Sequence, residues 1–325
     1  MIKTGTKIDF KKFRRLKIGK NTFKNTDLSI GLVAPSYWVS KKSRLLAKER
    51  LKHLGFSKID AESDLFKKRY FWGGTPKQRA EVINKFFSDD SIDIIWCLRG
   101  GFASIAVLEH LDFDTIANNK KLFIGYSDIT TLQLAMMAKS NLPSVQFYMP
   151  GTKNWMTSEN DIKYLSAILT GSDYKAKIKD KQIYTSGFAE GQIVGGCMDL
   201  VVSSLGTPHE IDTDGKILFI EDANIPPDRF YNMLYVLKFA GKLKNLKGLI
   251  VGKIYNCKDY QEYLQLFLDE LRETVTYPII IDYKSGHTFT KIPIPLGGYC
   301  VIDTDAKETR FSFPESFKEF LPVKQ

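Results

Sequence analysis

Cysteine and histidine are both scarce here, with four of each in 325 residues. Cys97, Cys197, Cys257 and Cys300 lack the short paired spacings of a metal site or a disulfide framework. Three stand in apolar or strand-like surroundings and read as reduced core residues. No apolar run approaches the about 18 residues needed to cross a membrane. The stretch Met1 to Lys7 is polar and basic, without the apolar segment of a signal peptide, which points to the cytoplasm. No internal repeat, low-complexity tract or G-x-G-x-x-G appears, so a nucleotide cofactor is not expected. Neither a metal nor an organic cofactor is implied.

What is present is ordinary globular material. Hydrophobic residues make up 43% and charged residues 26%, and the length is enough for two domains with a sizeable core. The formal charge is +10. The lysines are dispersed and no nucleic-acid-reading motif accompanies them, so neither nucleic acid nor membrane is the expected partner. The densest basic run, Lys7 to Lys24, reads as a solvated segment of an N-terminal extension over residues 1–27. A positive field also suits an anionic substrate such as a peptide carboxylate.

From Ser29 the chain alternates. Ser29 to Ser36 reads as a buried strand ending at Pro35, and Ser40 caps a helix through Leu54 that Gly55 stops. Arg69 to Thr75 reads as a loop, residues 76–87 as a helix with Pro76 in its first turn, and Ile92 to Leu98 as a second buried strand. This alternation argues for an α/β fold: an N-terminal doubly wound, flavodoxin-like parallel sheet over residues 1–151, closed by a strand from Ser144 to Tyr148. Residues 152–186 read as a polar bridging segment. Residues 187–325 read as a smaller C-terminal α/β domain, with strands at Ile217–Ile220, Gly248–Ile254 and Pro278–Ile281 and one strand or hairpin arm at Leu296–Thr304.

The chemistry centres on Leu122-Phe123-Ile124-Gly125-Tyr126-Ser127-Asp128-Ile129, a buried strand, a turn and a helix start. A serine there sits at the carboxyl edge of the sheet, beside helix N–H groups suited to an oxyanion. It is not a G-x-S-x-G elbow, because position 129 is Ile. From this stretch alone, a helix cap at Ser127 or Asp128 and a nucleophile at Ser127 both stand open. A nucleophilic serine needs a base. His53 and His110 lie on helices and His209 in a turn, while His287 follows Gly286 in a loop just past a buried strand. Glu221 and Asp222 end an apolar strand, where an unpaired carboxylate is costly to bury; side chains alternate, so only one of them can face a given partner.

Five pieces occur in order: Cys97-Leu98-Arg99-Gly100-Gly101-Phe102-Ala103-Ser104, Gly125-Tyr126-Ser127-Asp128, Gly191-Gln192-Ile193-Val194-Gly195-Gly196, Ile217-Leu218-Phe219-Ile220-Glu221-Asp222 and Gly286-His287-Thr288. Together they resemble the serine-peptidase family of LD-carboxypeptidases and microcin-immunity proteins over nearly the whole chain, from Ile30 to Asp303. The resemblance implies a triad of Ser127, His287 and Glu221, with Glu221 rather than Asp222 orienting the histidine, in a cleft between the domains. It also implies an oxyanion hole from the backbone N–H groups of Gly101 and Asp128. Arg99, with Gly100 and Phe102 beside it, is the candidate for binding a terminal carboxylate. The implied reaction is removal of a C-terminal D-amino acid from a murein peptide, and the resemblance implies a homodimer. The alternatives are cleavage of a peptidyl-nucleotide, where Trp155 would stack on the base, and a catalytically silent ligand-binding protein. The sequence departs from the resembling family at Ile225, where LD-carboxypeptidases usually carry a second glutamate, and at Met149-Pro150, where a Gly-Pro pair is common.

Overall fold

A computed structural model describes residues 19–24, 26–61 and 68–321, so the basic positions from Lys7 to Lys17 lie outside the described residues. The first half runs β1 (Ser29–Val33), α1 (Lys41–Leu54), β2 (Lys58–Asp60), the short pair β3 (Lys68–Arg69) and β4 (Trp72–Gly73), α2 (Pro76–Ser88), β5 (Ile94–Cys97), α3 (Phe113–Asn118), β6 (Leu122–Gly125), α4 (Thr130–Ser140) and β7 (Ser144–Gln146). Helix starts follow local chemistry. The Ser40 side chain accepts from Ser43 N–H, and Thr75 forms a reciprocal capping box with Gln78 ahead of Pro76. The stretch Arg69 to Thr75, read as a loop, holds the β3–β4 pair instead, and the strand expected to reach Tyr148 ends at Gln146.

The second half runs α5 (Glu159–Thr170), β8 (Tyr174–Lys177), β9 (Ile183–Thr185), β10 (Phe188–Cys197), α6 (Met198–Ser203), β11 (Ile217–Ala223), α7 (Pro227–Phe239), β12 (Gly248–Tyr255), α8 (Tyr260–Leu271), β13 (Ile279–Tyr283), β14 (Ile294–Leu296), β15 (Tyr299–Asp303), β16 (Glu308–Ser312) and α9 (Glu315–Lys318). The polar stretch 152–186 thus supplies one helix and the two outermost strands of the second sheet, where half-solvated edges tolerate polar sequence.

The first sheet has the order β14-β7-β6-β5-β1-β2. Its five strands from the first half are parallel and follow the flavodoxin-like 2-1-3-4-5 order, which places ligands beyond the carboxyl ends of the strands near the β1/β5 switch. The second sheet has eight strands, β8-β16-β15-β10-β11-β12-β13-β9, with a parallel centre from β10 to β13. The single arm read at Leu296–Thr304 is split in two. Gly297, at φ +81°, breaks it, so β14 pairs antiparallel with β7 in the first sheet while β15 joins the second.

The two halves are joined at their cores as well. Leu165, Ile168 and Leu169 from α5, and Phe313, Phe317 and Leu321 from the C-terminal end, are buried in the cluster built around β1, β5 and β6. Between the sheets, Thr130 Oγ1 at the start of α4 accepts from Cys197 N–H and from the Gln146 amide, each at 3.1 Å. Gly196 permits that approach, since a Cβ there would lie 2.5 Å from Thr130 Cγ2. Ile294 is fully buried on the strand that crosses between sheets. Ile294→Ala is expected to destabilise the fold by about 2–5 kcal/mol, measurable by chemical denaturation.

Candidate active site

Ser127 follows β6 at a turn so sharp that its own φ is +67°, a left-handed conformation that a serine adopts at a cost of about 1–3 kcal/mol. Strain of that kind clusters at functional sites. Neither Ser127 nor Asp128 caps α4, whose N-cap is Ile129 with no side-chain bond. Asp128 is instead an internal brace. Its Oδ2 accepts from Ser36 Oγ at 2.5 Å, at the end of β1, and from Ser104 N–H at 3.0 Å, after β5. Burial raises the pKa of its carboxyl; those two hydrogen bonds and Arg79 oppose the shift. One side chain thus ties together the loops after β1, β5 and β6.

The Gly100–Gly101 turn after β5 lies directly against the serine, where a Cβ on Gly100 would stand 2.9 Å from Ser127 Cβ. Arg99 lays its guanidinium over the Tyr37 ring, 5.0 Å from the centroid, and burial lowers its pKa. Phe102 is partly exposed and packs edge-on against Tyr37 at 4.9 Å.

The second sheet brings up the other two groups. His287 Nε2 stands 3.1 Å from Ser127 Oγ, and His287 Nδ1 stands 2.7 Å from Glu221 Oε2. With a neutral ring, Nδ1–H donates to Glu221 and Nε2 accepts from the serine hydroxyl. The same carboxylate oxygen accepts the His287 backbone N–H at 2.9 Å, so both the ring and its main chain are fixed. Glu221 is wholly buried. Gly286, at φ +83°, is the one residue type that fits before the histidine, because a Cβ there would lie 2.2 Å from Glu221 Oε2.

Asp222 points the other way, as strand alternation requires. It accepts from Cys197 Sγ–H at 3.5 Å, from Asp199 N–H at 2.8 Å and from Ala223 N–H at 2.7 Å. Burial, reinforced by the neighbouring Glu221 charge, pushes its carboxyl up to about 6. Ser127, Glu221 and His287 are therefore brought together from three distant stretches, with Gly100 beside the serine and Gly101 packed against Tyr37. His53, His110, His209 and Asp222 are not part of the cluster.

A cavity of about 190 Å³ opens beside His287, lined by Tyr126, Asn154, Asn224, Tyr255, Thr288 and Phe289. None of these was singled out from the sequence as a wall of the site; the only signal was the proximity of Tyr126 and Thr288 to the serine and histidine. Larger cavities of about 400 and 760 Å³ lie away from the serine, between α4 and the second sheet and along α5. Trp155, proposed from sequence as a stacking surface, is buried at 5% exposure against Trp96 and Tyr148 and cannot receive a ligand base.

Among the described residues no helix is long and apolar enough to cross a membrane. A serine at a strained strand-to-helix turn, facing a histidine brought up by a second sheet, is the arrangement found in serine hydrolases of α/β type. Sequence comparison makes this specific. The LD-carboxypeptidase N-terminal domain matches residues 30–147 and the LD-carboxypeptidase C-terminal domain matches residues 190–302. The chain belongs to the LD-carboxypeptidase family of serine carboxypeptidases. It is 30% identical over 294 residues to the probable murein peptide carboxypeptidase of Bacillus subtilis, covering 86% of this chain and 90% of that one. It is 26% identical over 313 residues to the microcin C7 self-immunity protein MccF of Escherichia coli, covering 84% and 89%. The crystal structure of muramoyltetrapeptide carboxypeptidase from Oxalobacter formigenes superposes with a TM-score of 0.77 at 25% identity, over 88% of this chain and 99% of that one.

Three substitutions separate the roles. Ser127→Ala is expected to lower kcat by on the order of 10⁶ with the fold intact. Glu221→Gln keeps the shape but not the charge and is expected to cost about 10²–10⁴. Asp222→Asn, turned away from the histidine, should stay within about tenfold of wild type, since a surrounding group costs far less than a reacting one. Steady-state kinetics with thermal melts check all three; an Asp222→Asn loss equal to that of Glu221→Gln would reverse the assignment. Because the base must be neutral to act, kcat/KM is expected to fall on the acid side of a pH profile.

Proposed function

We propose that Ser127, His287 and Glu221 act as the catalytic triad of a carboxypeptidase that removes a C-terminal D-amino acid from an L,D-peptide bond of a murein peptide. The observation that carries this is the unbroken hydrogen-bond relay from Ser127 Oγ through the His287 ring to Glu221. In the acylation step Ser127 Oγ attacks the scissile carbonyl carbon while His287 Nε2 takes the hydroxyl proton. The resulting oxyanion is met by the backbone N–H groups of Gly101 and Asp128. His287 then passes its proton to the departing amine, leaving an acyl-enzyme. Water, deprotonated by the same nitrogen, releases the shortened peptide. Glu221 stays ionised throughout and stabilises the imidazolium.

The leaving residue must lie on the histidine's side of the serine, because its nitrogen receives the proton there. The cavity beside His287 is on that side. At about 190 Å³ it is smaller than the roughly 300–1,000 Å³ of sites for larger ligands, and it suits one small residue such as D-alanine. The amides of Asn154 and Asn224 line that cavity and can meet the terminal carboxylate, Arg99 over Tyr37 is the nearby cation of the Gly100 turn, and the net charge of +10 favours an anionic peptide. The names of the Bacillus subtilis and Oxalobacter formigenes relatives support a murein peptide as substrate.

A second reading rests on the similarity to MccF: an amidase acting on a peptidyl-nucleotide. With Trp155 buried, the exposed rings beside the site for a base are Phe289 and Tyr255, both on the wall of the cavity. The proposal includes a cytoplasmic location and a homodimer; light scattering of the purified chain tests the second.

Mass spectrometry of purified protein incubated with an L,D-tetrapeptide, a peptidyl-nucleotide and an all-L control separates the readings. Loss of the terminal D-residue from the first alone is the expected result. Cleavage of the nucleotide conjugate alone selects the second reading, and turnover of the all-L peptide at an equal rate rejects both.

A further inference from the structure

One buried cation beside the relay has no part in the scheme above. Lys291, four residues beyond His287, is only 3% exposed. An ammonium group is costly to bury unless it is paired and hydrogen-bonded. Its Nζ donates to the carbonyl oxygen of Gly286 and lies 4.1 Å from the Tyr126 ring centroid and 5.5 Å from that of Tyr148. Tyr126 in turn meets the His287 ring at 5.1 Å, edge to face. Tyr148 braces the same loop, its hydroxyl donating to Phe289 O at 2.8 Å.

The carboxylate supplies the reason for a cation. Glu221 Oε2 takes both bonds from His287, whereas Oε1 is buried and has no hydrogen-bond partner among the described residues. A wholly buried carboxylate with one bare oxygen calls for positive charge close by. The groups facing Lys291 are Glu221 from β11, Asp161 from α5, Tyr126 from the turn before α4 and Tyr148 beyond β7, and its Nζ is bonded to the Gly286 carbonyl on the loop that carries His287. Burial lowers the lysine to about 8 against the pull of Glu221 and Asp161, so it still carries its charge at neutral pH.

We propose that Lys291 is a positioning residue whose ammonium balances the buried Glu221 charge and anchors the Gly286 carbonyl, so that His287 waits neutral and aimed at Ser127. The inference rests on the triad reading. Its physical content is a sign. Without the cation, Glu221 alone faces the ring and favours the imidazolium, so a higher pH is needed to free the base. A lysine that merely fills space would change the rate without moving that requirement.

The test compares wild type with Lys291→Met, Lys291→Gln and Lys291→Arg. Met removes charge and donor, Gln removes the charge alone, and Arg keeps both. The acid limb of kcat/KM is expected to move up by about one pH unit in Met and Gln, the order of size of one nearby charge in a medium of effective dielectric about 20, and to return toward wild type in Arg. The same shift is read without turnover by following the His287 ring resonance through a pH titration in the Ser127→Ala background. A protein with no peptidase activity therefore sinks the proposed function while leaving this measurement intact. A limb and resonance unmoved in Met and Gln overturn the proposal, as does an equal shift in Arg, which would make shape rather than charge the cause. If Met and Gln fail to fold, the titration of the Lys291-containing protein decides: the His287 resonance must show a second inflection as Lys291 loses its proton above neutral pH, and a resonance with no response to that loss overturns the proposal.

Discussion

The structure depends most on one carboxylate oxygen. Glu221 Oε2 holds the ring of His287 at 2.7 Å and its backbone N–H at 2.9 Å, from a residue with no solvent exposure. Inside a low-dielectric interior such charge-assisted bonds are short and directional, and the charge cannot be relieved by water. Everything around the pair serves to make it affordable. Gly286 leaves room for the carboxylate, and Lys291 sits nearby as a compensating cation.

The serine reaches this pair because a second set of contacts fixes the loops of the first sheet. Asp128 gathers the ends of three strands, and the left-handed backbone at Ser127 is held open by that brace. Thr130, three residues on, carries the bonds that set the second sheet's distance from the first. Strained serine, brace and inter-sheet bolt thus fall within the four positions 127–130 of a turn and helix start. A change in one alters the alignment of the others, so their effects are not expected to add.

Much of this was legible in the chain. The parallel strand order follows from alternating apolar strands and capped helices, and each of Ser127, Glu221 and His287 sits at a strand end or the loop beyond it. The choice of Glu221 over Asp222 rested on resemblance, and alternation along β11 accounts for where the two point. What could not be read was long-range. The 152–186 stretch looks like a connector because its strands lie at sheet edges, where polar residues are tolerated. The split at Gly297 looks like a turn within one hairpin, since nothing local says that β14 pairs with a strand some 150 residues earlier. Trp155 looks accessible in a polar neighbourhood, yet its ring completes a core built by residues far away in sequence. Lys291 carries no local mark of burial beyond the apolar residues that follow it.

The crossing of β14 into the first sheet has a consequence for how the molecule is made. On the ribosome the nucleophile half emerges first, but one edge of its sheet is paired only after Leu296 has been synthesised, and Phe313, Phe317 and Leu321 reach its core later still. The first half therefore cannot be completed from its own residues alone, because the strand beside β7 and part of its core come from beyond residue 290. Closing the first sheet and bringing His287 to Ser127 thus draw on one short late stretch of sequence, residues 286–296.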